Sequence, residues 1–341
     1  MSTPNYISLL HVGRRAPESE QLEFNWEPLD INKLTFPQGN IVCVFGGNNT
    51  NRAEESNGNA KIFESLISPK NRKKTHIFSF GYKTEPLKNS SYCSKEYIEE
   101  TDMLFYNSFL PLILTKEGDL KKEQGIKEVF KRFVFASHCG GSFMANEIIN
   151  KFYEVLLLKY PQGKAEQLIS QIQYISYAPL EIPPSNVNSF IIAPLSDINT
   201  SWDKIIDRAS VEGVDIDYPK NVTKKLIKSK LAQAPTGQKL IETMQDTRAI
   251  IFKIDNSTYI IPGPMNPRLN IGDHSIDCLA KKHILESGLD FAITAQLTRN
   301  AAKKYMNLFT SNAPYDIKAA FTQTANSIGE NPPASEKTPL C

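Results

Sequence analysis

The sequence predicts an α/β protein of three layers, a mainly parallel central sheet with helices on both faces. Two observations predict it. Short apolar runs rich in β-branched and aromatic residues, each stopped by small or polar residues, have the length of buried strands. Between them lie longer segments with apolar residues at helical spacing, and strands alternating with helices build parallel sheets covered on both sides.

The elements follow in order. Residues 1–38 are mixed and polar, carry four prolines, and form a lead-in with a strand or two. Ile41-Val42-Cys43-Val44-Phe45 ends a buried strand over 40–45, stopped by Gly46-Gly47. Residues 60–67 have helical spacing through Ile62, Phe63, Leu66 and Ile67. A second strand over 76–80 stops at Gly81, a helical stretch runs from Tyr97 to Leu110, and 116–128 read as an exposed connection. A third strand starts at Phe133-Val134-Phe135-Ala136, and a long helix runs from Gly140 to about Tyr160 with Phe143, Ile148, Ile149 and Phe152 on its apolar stripe. Further strands are expected at 172–177, 190–193, 249–254 and 259–261, and helices at 277–286 and 290–308. The domain spans 39–310, with a charged, helical insertion over 202–246. From 311 to 341 the chain turns to Ser, Thr, Asn, Pro and Gly, the composition of a flexible tail.

Composition narrows the function. With 40% hydrophobic and 22% charged residues the chain buries a real core. A net charge of +2 gives no argument for nucleic acid or anionic membrane as partner. No apolar run reaches the ~18 residues of a membrane span, and the first residues lack the pattern of a signal peptide. The expectation is a protein made in the cytosol, with export through a signal in the 311–341 tail as a further hypothesis. The five cysteines are scattered, with no CxxC pair, which argues against zinc ribbons, redox dithiols and a disulfide framework. No metal or other cofactor is expected, and nothing fixes an oligomeric state.

One segment concentrates chemistry: Phe135-Ala136-Ser137-His138-Cys139-Gly140-Gly141-Ser142-Phe143. An apolar strand stops, small residues crowd a turn, and a helix starts at once. A nucleophile elbow needs small residues two positions either side of the reactive side chain, and Ser137 and Gly141 flank Cys139 at those offsets. A free thiol with pKa near ~8.5 is little ionised at neutral pH. Unpaired N–H groups and the dipole at a helix N-terminus favour the thiolate. Ser142 fails the same test, because Met144 is large.

This segment resembles the elbow of the α/β-hydrolase superfamily, in the dienelactone-hydrolase-like variant where Cys replaces Ser. Ser137 stands where the family most often has Gly. The resemblance implies a hydrolase or acyl transferase acting on an ester, thioester or amide through a Cys139 acyl-enzyme. Its partner would be a small-molecule or acyl substrate. It implies oxyanion donors at Gly140 and at Gly47, in the loop after the first strong strand. It also implies a triad in the order nucleophile, acid, His. Only His274 and His283 follow Cys139; His274, in the loop 272–275, takes the base role. Asp197 after the strand at 190–193 is the first choice of acid, with Asp203, Asp255 and Asp273 still open. His138 precedes the nucleophile and is expected to point away from it. The insertion 202–246 would be a lid.

Three other readings stay open or fall. A cysteine phosphatase needs an Arg six residues past the Cys to clamp phosphate, and that residue is Ala145. A glutamine-amidotransferase or peptidase-like enzyme on a flavodoxin-type fold also uses a strand–Cys–helix elbow; it wants His-x-Glu, and the chain offers His274-Ser275-Ile276-Asp277. A catalytically silent α/β-hydrolase-like binding protein is the third.

Overall fold

A computed structural model of the chain describes residues 9–16, 24–28, 30, 34–47, 53–82, 101–194, 197, 200, 204–205, 208, 249–254, 256–263, 265, 275–286 and 289–311. Among them nine strands form one sheet: β1 (Leu9–Arg15), β2 (Asn25–Pro28), β3 (Asn40–Phe45), β4 (Thr75–Tyr82), β5 (Phe133–His138), β6 (Gln173–Tyr177), β7 (Asn188–Ile192), β8 (Ala249–Ile254) and β9 (Ser257–Pro262). Their order is β2-β1-β4-β3-β5-β6-β7-β9-β8. Every pairing from β4 across to β9 is parallel, while β1 joins β4, β2 joins β1, and β8 joins β9 antiparallel. The α/β class therefore stands, and the lead-in contributes two strands to the same sheet.

The helices are α1 (Ala53–Leu66), α2 (Pro69–Arg72), α3 (Glu123–Phe130), α4 (Gly141–Leu157), α5 (Gln162–Ile169), α6 (Lys281–Glu286) and α7 (Leu289–Thr310). Because strand side chains alternate between faces, Ile41, Cys43 and Phe45 enter one core and Val42 and Val44 the other. The first core is closed by Met144, Ile148, Ile149 and Phe152 of α4, with Ile126 and Phe130 of α3 and Leu168 and Ile169 of α5. The second is closed by Phe63 and Leu66 of α1 and by Ala302, Tyr305, Met306 and Phe309 of α7. Tyr305 stacks on Phe190 with ring centroids 4.0 Å apart. Both faces are covered, which is why the parallel strands are largely buried and mostly apolar on both sides. Among the described residues no helix is long and apolar enough to cross a membrane.

Three local differences from the expectations have physical reasons. The stretch read as an exposed connection contains α3, whose Ile126, Val129 and Phe130 make a stripe too short to stand out. Helix α5 was not expected, because its eight residues place only Ala165, Leu168 and Ile169 inward. The helical stretch before β5 ends in a π turn, Phe105–Phe109, and a 3₁₀ turn, Leu110–Ile113, where Pro111 interrupts the α-helical ladder.

The crossover from β6 to β7 is only residues 178–187 and carries no helix. Helix α4 supplies the hydrogen bonds that a crossover helix would have supplied internally. Asn146 Nδ2 donates to the carbonyl of Ile182 at 2.9 Å, and Ser142 Oγ accepts from the N–H of Glu181 at 3.0 Å. Most of the insertion 202–246 and the whole tail 312–341 lie outside the described residues.

Candidate active site at the end of β5

Strand β5 ends at His138 and α4 begins at Gly141, so Cys139 must reverse the chain within two residues. It does so with φ +51°, in the left-handed region. For a residue with a Cβ this costs roughly 1–2 kcal/mol. Four hydrogen bonds hold the bend. The Cys139 N–H donates to the carbonyl of Tyr177 at 3.2 Å. The Cys139 carbonyl accepts from the N–H of Ser142 at 3.2 Å, the N–H of Leu180 at 3.3 Å and the Ser142 hydroxyl at 2.7 Å. Ala178, opposite on the end of β6, is also left-handed at φ +48°.

The small residues around the bend are required by contact. A Cβ added at Gly141 would lie 2.2 Å from the carbonyl oxygen of Phe45 and 2.5 Å from that of Gly46. One added at Gly47 would lie 2.7 Å from Cys139 Cβ and 3.4 Å from its Sγ. The loop after β3 thus lies directly against the thiol. Ser137, fully buried, bonds the Tyr174 hydroxyl at 2.9 Å and the Ser176 hydroxyl at 2.7 Å. Burial pushes the Tyr174 phenol far above its ordinary pKa, so it remains a neutral donor. This hydroxyl cluster lies under the bend because Ser137 pairs with Ser176 in the β5–β6 register.

The expected site residues fall as follows. Cys139 is buried, with 6% of its surface exposed. Gly140 is buried at the N-cap of α4, and its N–H donates to no acceptor among the described residues. Gly47 touches Cys139, as described above. Asp197 follows β7 and is 4% exposed. Its N–H donates to Pro194, and its Oδ2 accepts from the Thr200 hydroxyl at 2.7 Å. β7 is the second strand from β5, and Asp197 is at the same, carboxyl edge of the sheet as Cys139. His274, Asp203, Asp255 and Asp273 lie outside the described residues.

His138 differs from its expectation. Its Nδ1 lies 3.2 Å from the point a Gly47 Cβ would occupy, the same point that Cys139 Sγ approaches to 3.4 Å. The ring therefore faces the Gly47 loop beside the thiol and does not turn away. The ring packs 5.9 Å from the Tyr177 ring.

Sequence reasoning missed the brace made by Ser142 and the left-handed Ala178. Two copies of Ala-Pro-Leu, at 178–180 and 193–195, mark the ends of β6 and β7 and were the available signal. No protein-family model and no curated protein matches this chain.

Proposed function

We propose that the protein is a cysteine hydrolase or acyl transferase of the α/β-hydrolase type, with Cys139 as nucleophile. The single observation that carries this is the left-handed backbone of Cys139 between a parallel strand and a helix. A strained residue at such a bend projects its side chain above the sheet's carboxyl edge, where ligands of open α/β sheets bind. The chain order Cys139, Asp197, His274 is the nucleophile–acid–His order of that family. The Gly47 loop against the sulfur, and a buried Gly140 N–H with no acceptor among the described residues, fit the family's two-donor oxyanion hole.

In this mechanism His274 takes the proton of Cys139, and Asp197 orients the imidazole. The thiolate attacks the carbonyl carbon of an ester, thioester or amide, forming a C–S bond while the carbonyl oxygen gains the negative charge. The N–H groups of Gly140 and Gly47 receive that charge. Collapse expels the alcohol, thiol or amine, which leaves with the proton from His274. Water or an acceptor nucleophile, deprotonated by His274, then releases the acyl group and restores the thiol. The insertion 202–246 would set substrate choice.

A catalytically silent binding protein is the competing reading, favoured by the low exposure of the Cys139 side chain. Iodoacetamide labelling of the native protein, read residue by residue by peptide mass spectrometry, separates the two. The enzyme reading expects Cys139 to label at least about 10³-fold faster than Cys43, which reacts only when the chain opens. It also expects Cys139→Ala to abolish hydrolysis of short-chain acyl thioesters. Equal, slow labelling of Cys139 and Cys43 would sink it. Comparing His274→Ala with His138→Ala assigns the base, because only the loss of the true base removes the neutral-pH labelling advantage.

A further inference from the structure

A second site lies on the helix layer formed by α1, α6 and α7. The end of α1, the turn at Ser68 and the start of α6 surround a pocket of about 510 Å³, a size that ligand-binding clefts commonly have. Helix α1 returns from the end of β3 to the start of β4, so this pocket lies at the amino edge of the sheet, away from Cys139.

Its lining is rich in donors. Lys61, Lys281, Arg299 and Lys303 contribute four positive charges, and no Asp or Glu lines it. Arg299 is 2% exposed. Its guanidinium donates to the carbonyls of Leu279 and Ser65 and to the Ser65 hydroxyl, yet Nε has no acceptor among the described residues. None of the four cations pairs with a carboxylate among the described residues. The nearest acid on α1, Glu64, is already held by Arg15 and Arg72. A buried cation is normally balanced by a carboxylate, because desolvating a charge is costly. Here no carboxylate among the described residues supplies the balancing charge. Lys303 registers the excess: burial, and then Arg299, Lys281 and Arg72, push its ammonium pKa down. The Ser68 hydroxyl accepts from the N–H of Asn71 and donates to no acceptor among the described residues.

We propose that this pocket binds the phosphate group of a small, soluble phosphorylated molecule. A dianion offsets more of the unbalanced charge than a carboxylate does, and its three free oxygens suit converging ammonium and hydroxyl donors. Apolar walls at Ile62, Ile67 and Pro69 leave room for the organic part. This site stands apart from Cys139 chemistry and holds whether or not that residue is a nucleophile.

Isothermal titration of the full chain with inorganic phosphate, and separately with glucose 6-phosphate, tests it. Saturable one-to-one binding that weakens as sodium chloride is added is expected. Lys303→Glu and Lys61→Glu should each weaken it at least about ten-fold, while Lys116→Glu, the same charge change on a distant turn, leaves it unchanged. Thermal unfolding of each variant confirms that it is folded. Absence of saturable binding, or equal affinity in Lys303→Glu and Lys116→Glu, overturns the proposal. So does co-sedimentation with phosphatidylcholine vesicles carrying a phosphoinositide when the soluble phosphates do not bind.

Discussion

Cys43 and Cys139 lie one strand apart, and both are buried. Cys43 occupies the middle of β3, opposite Phe135 of β5 in the register, with none of its surface exposed. Burial pushes its thiol pKa well up, because a thiolate there would be stripped of water. Cys139 occupies the end of β5 with a left-handed backbone, beside a helix N-terminus and a glycine loop. Burial alone does not separate an inert thiol from a candidate nucleophile. What separates them is whether the backbone carries the sulfur within the sheet or over its edge.

The largest effect that would sharpen this contrast comes from the residue that lets β5 turn. Gly141→Ala places a methyl against two backbone carbonyls of the β3 end, which cannot swing aside. It should cost about 3 kcal/mol in urea unfolding, or prevent folding. Gly58→Ala, in the exposed face of α1 with open space around it, should instead gain about 0.5–1 kcal/mol. A near-neutral Gly141→Ala would mean that the two strand ends are not in the contact described.

A smaller cost, about 1–3 kcal/mol, is expected for Tyr174→Phe, which leaves the buried hydroxyl of Ser137 short of a partner. Adding Ser137→Ala should restore part of that loss, since the unsatisfied group is then removed. Strictly additive losses in the double variant would show that the hydroxyls under the elbow do not act as one cluster.

The smallest effect is also the most direct, because it reverses sign between the two cysteines. Cys139→Gly should be about 1 kcal/mol more stable than Cys139→Ala, since glycine adopts a positive φ without penalty. At position 43, in an extended strand, Gly should instead be roughly 0.5–1 kcal/mol less stable than Ala. The same order at both positions in thermal unfolding would contradict the left-handed assignment.

Much of the scaffold was legible in the sequence. The apolar runs around Cys43 and Phe135 are long, β-branched and aromatic, and each stops at glycine or a small polar residue. The stripe of α4 repeats through Ile148, Ile149 and Phe152, so its helix was plain. Helices α3 and α5 were not, because two turns with three inward residues resemble chance. The orientation of His138 was not legible either, since it depends on how the Gly47 loop of the neighbouring strand packs against it.

For the elbow, the sequence by itself determined which residues permit the bend: a glycine at 141, a small serine at 137, and Gly-Gly at the end of the neighbouring strand. Local chain chemistry carries that information, because only side-chain size and backbone freedom are involved. The tertiary structure alone decided that Phe45, more than ninety positions away from the thiol along the chain, presses its carbonyl against Gly141. It also decided that Ser137 meets Tyr174 and Ser176, and that Arg299 pairs with no carboxylate among the described residues. Those outcomes are set by strand register and helix packing, which sum weak contacts over the whole chain and leave no mark in any one segment.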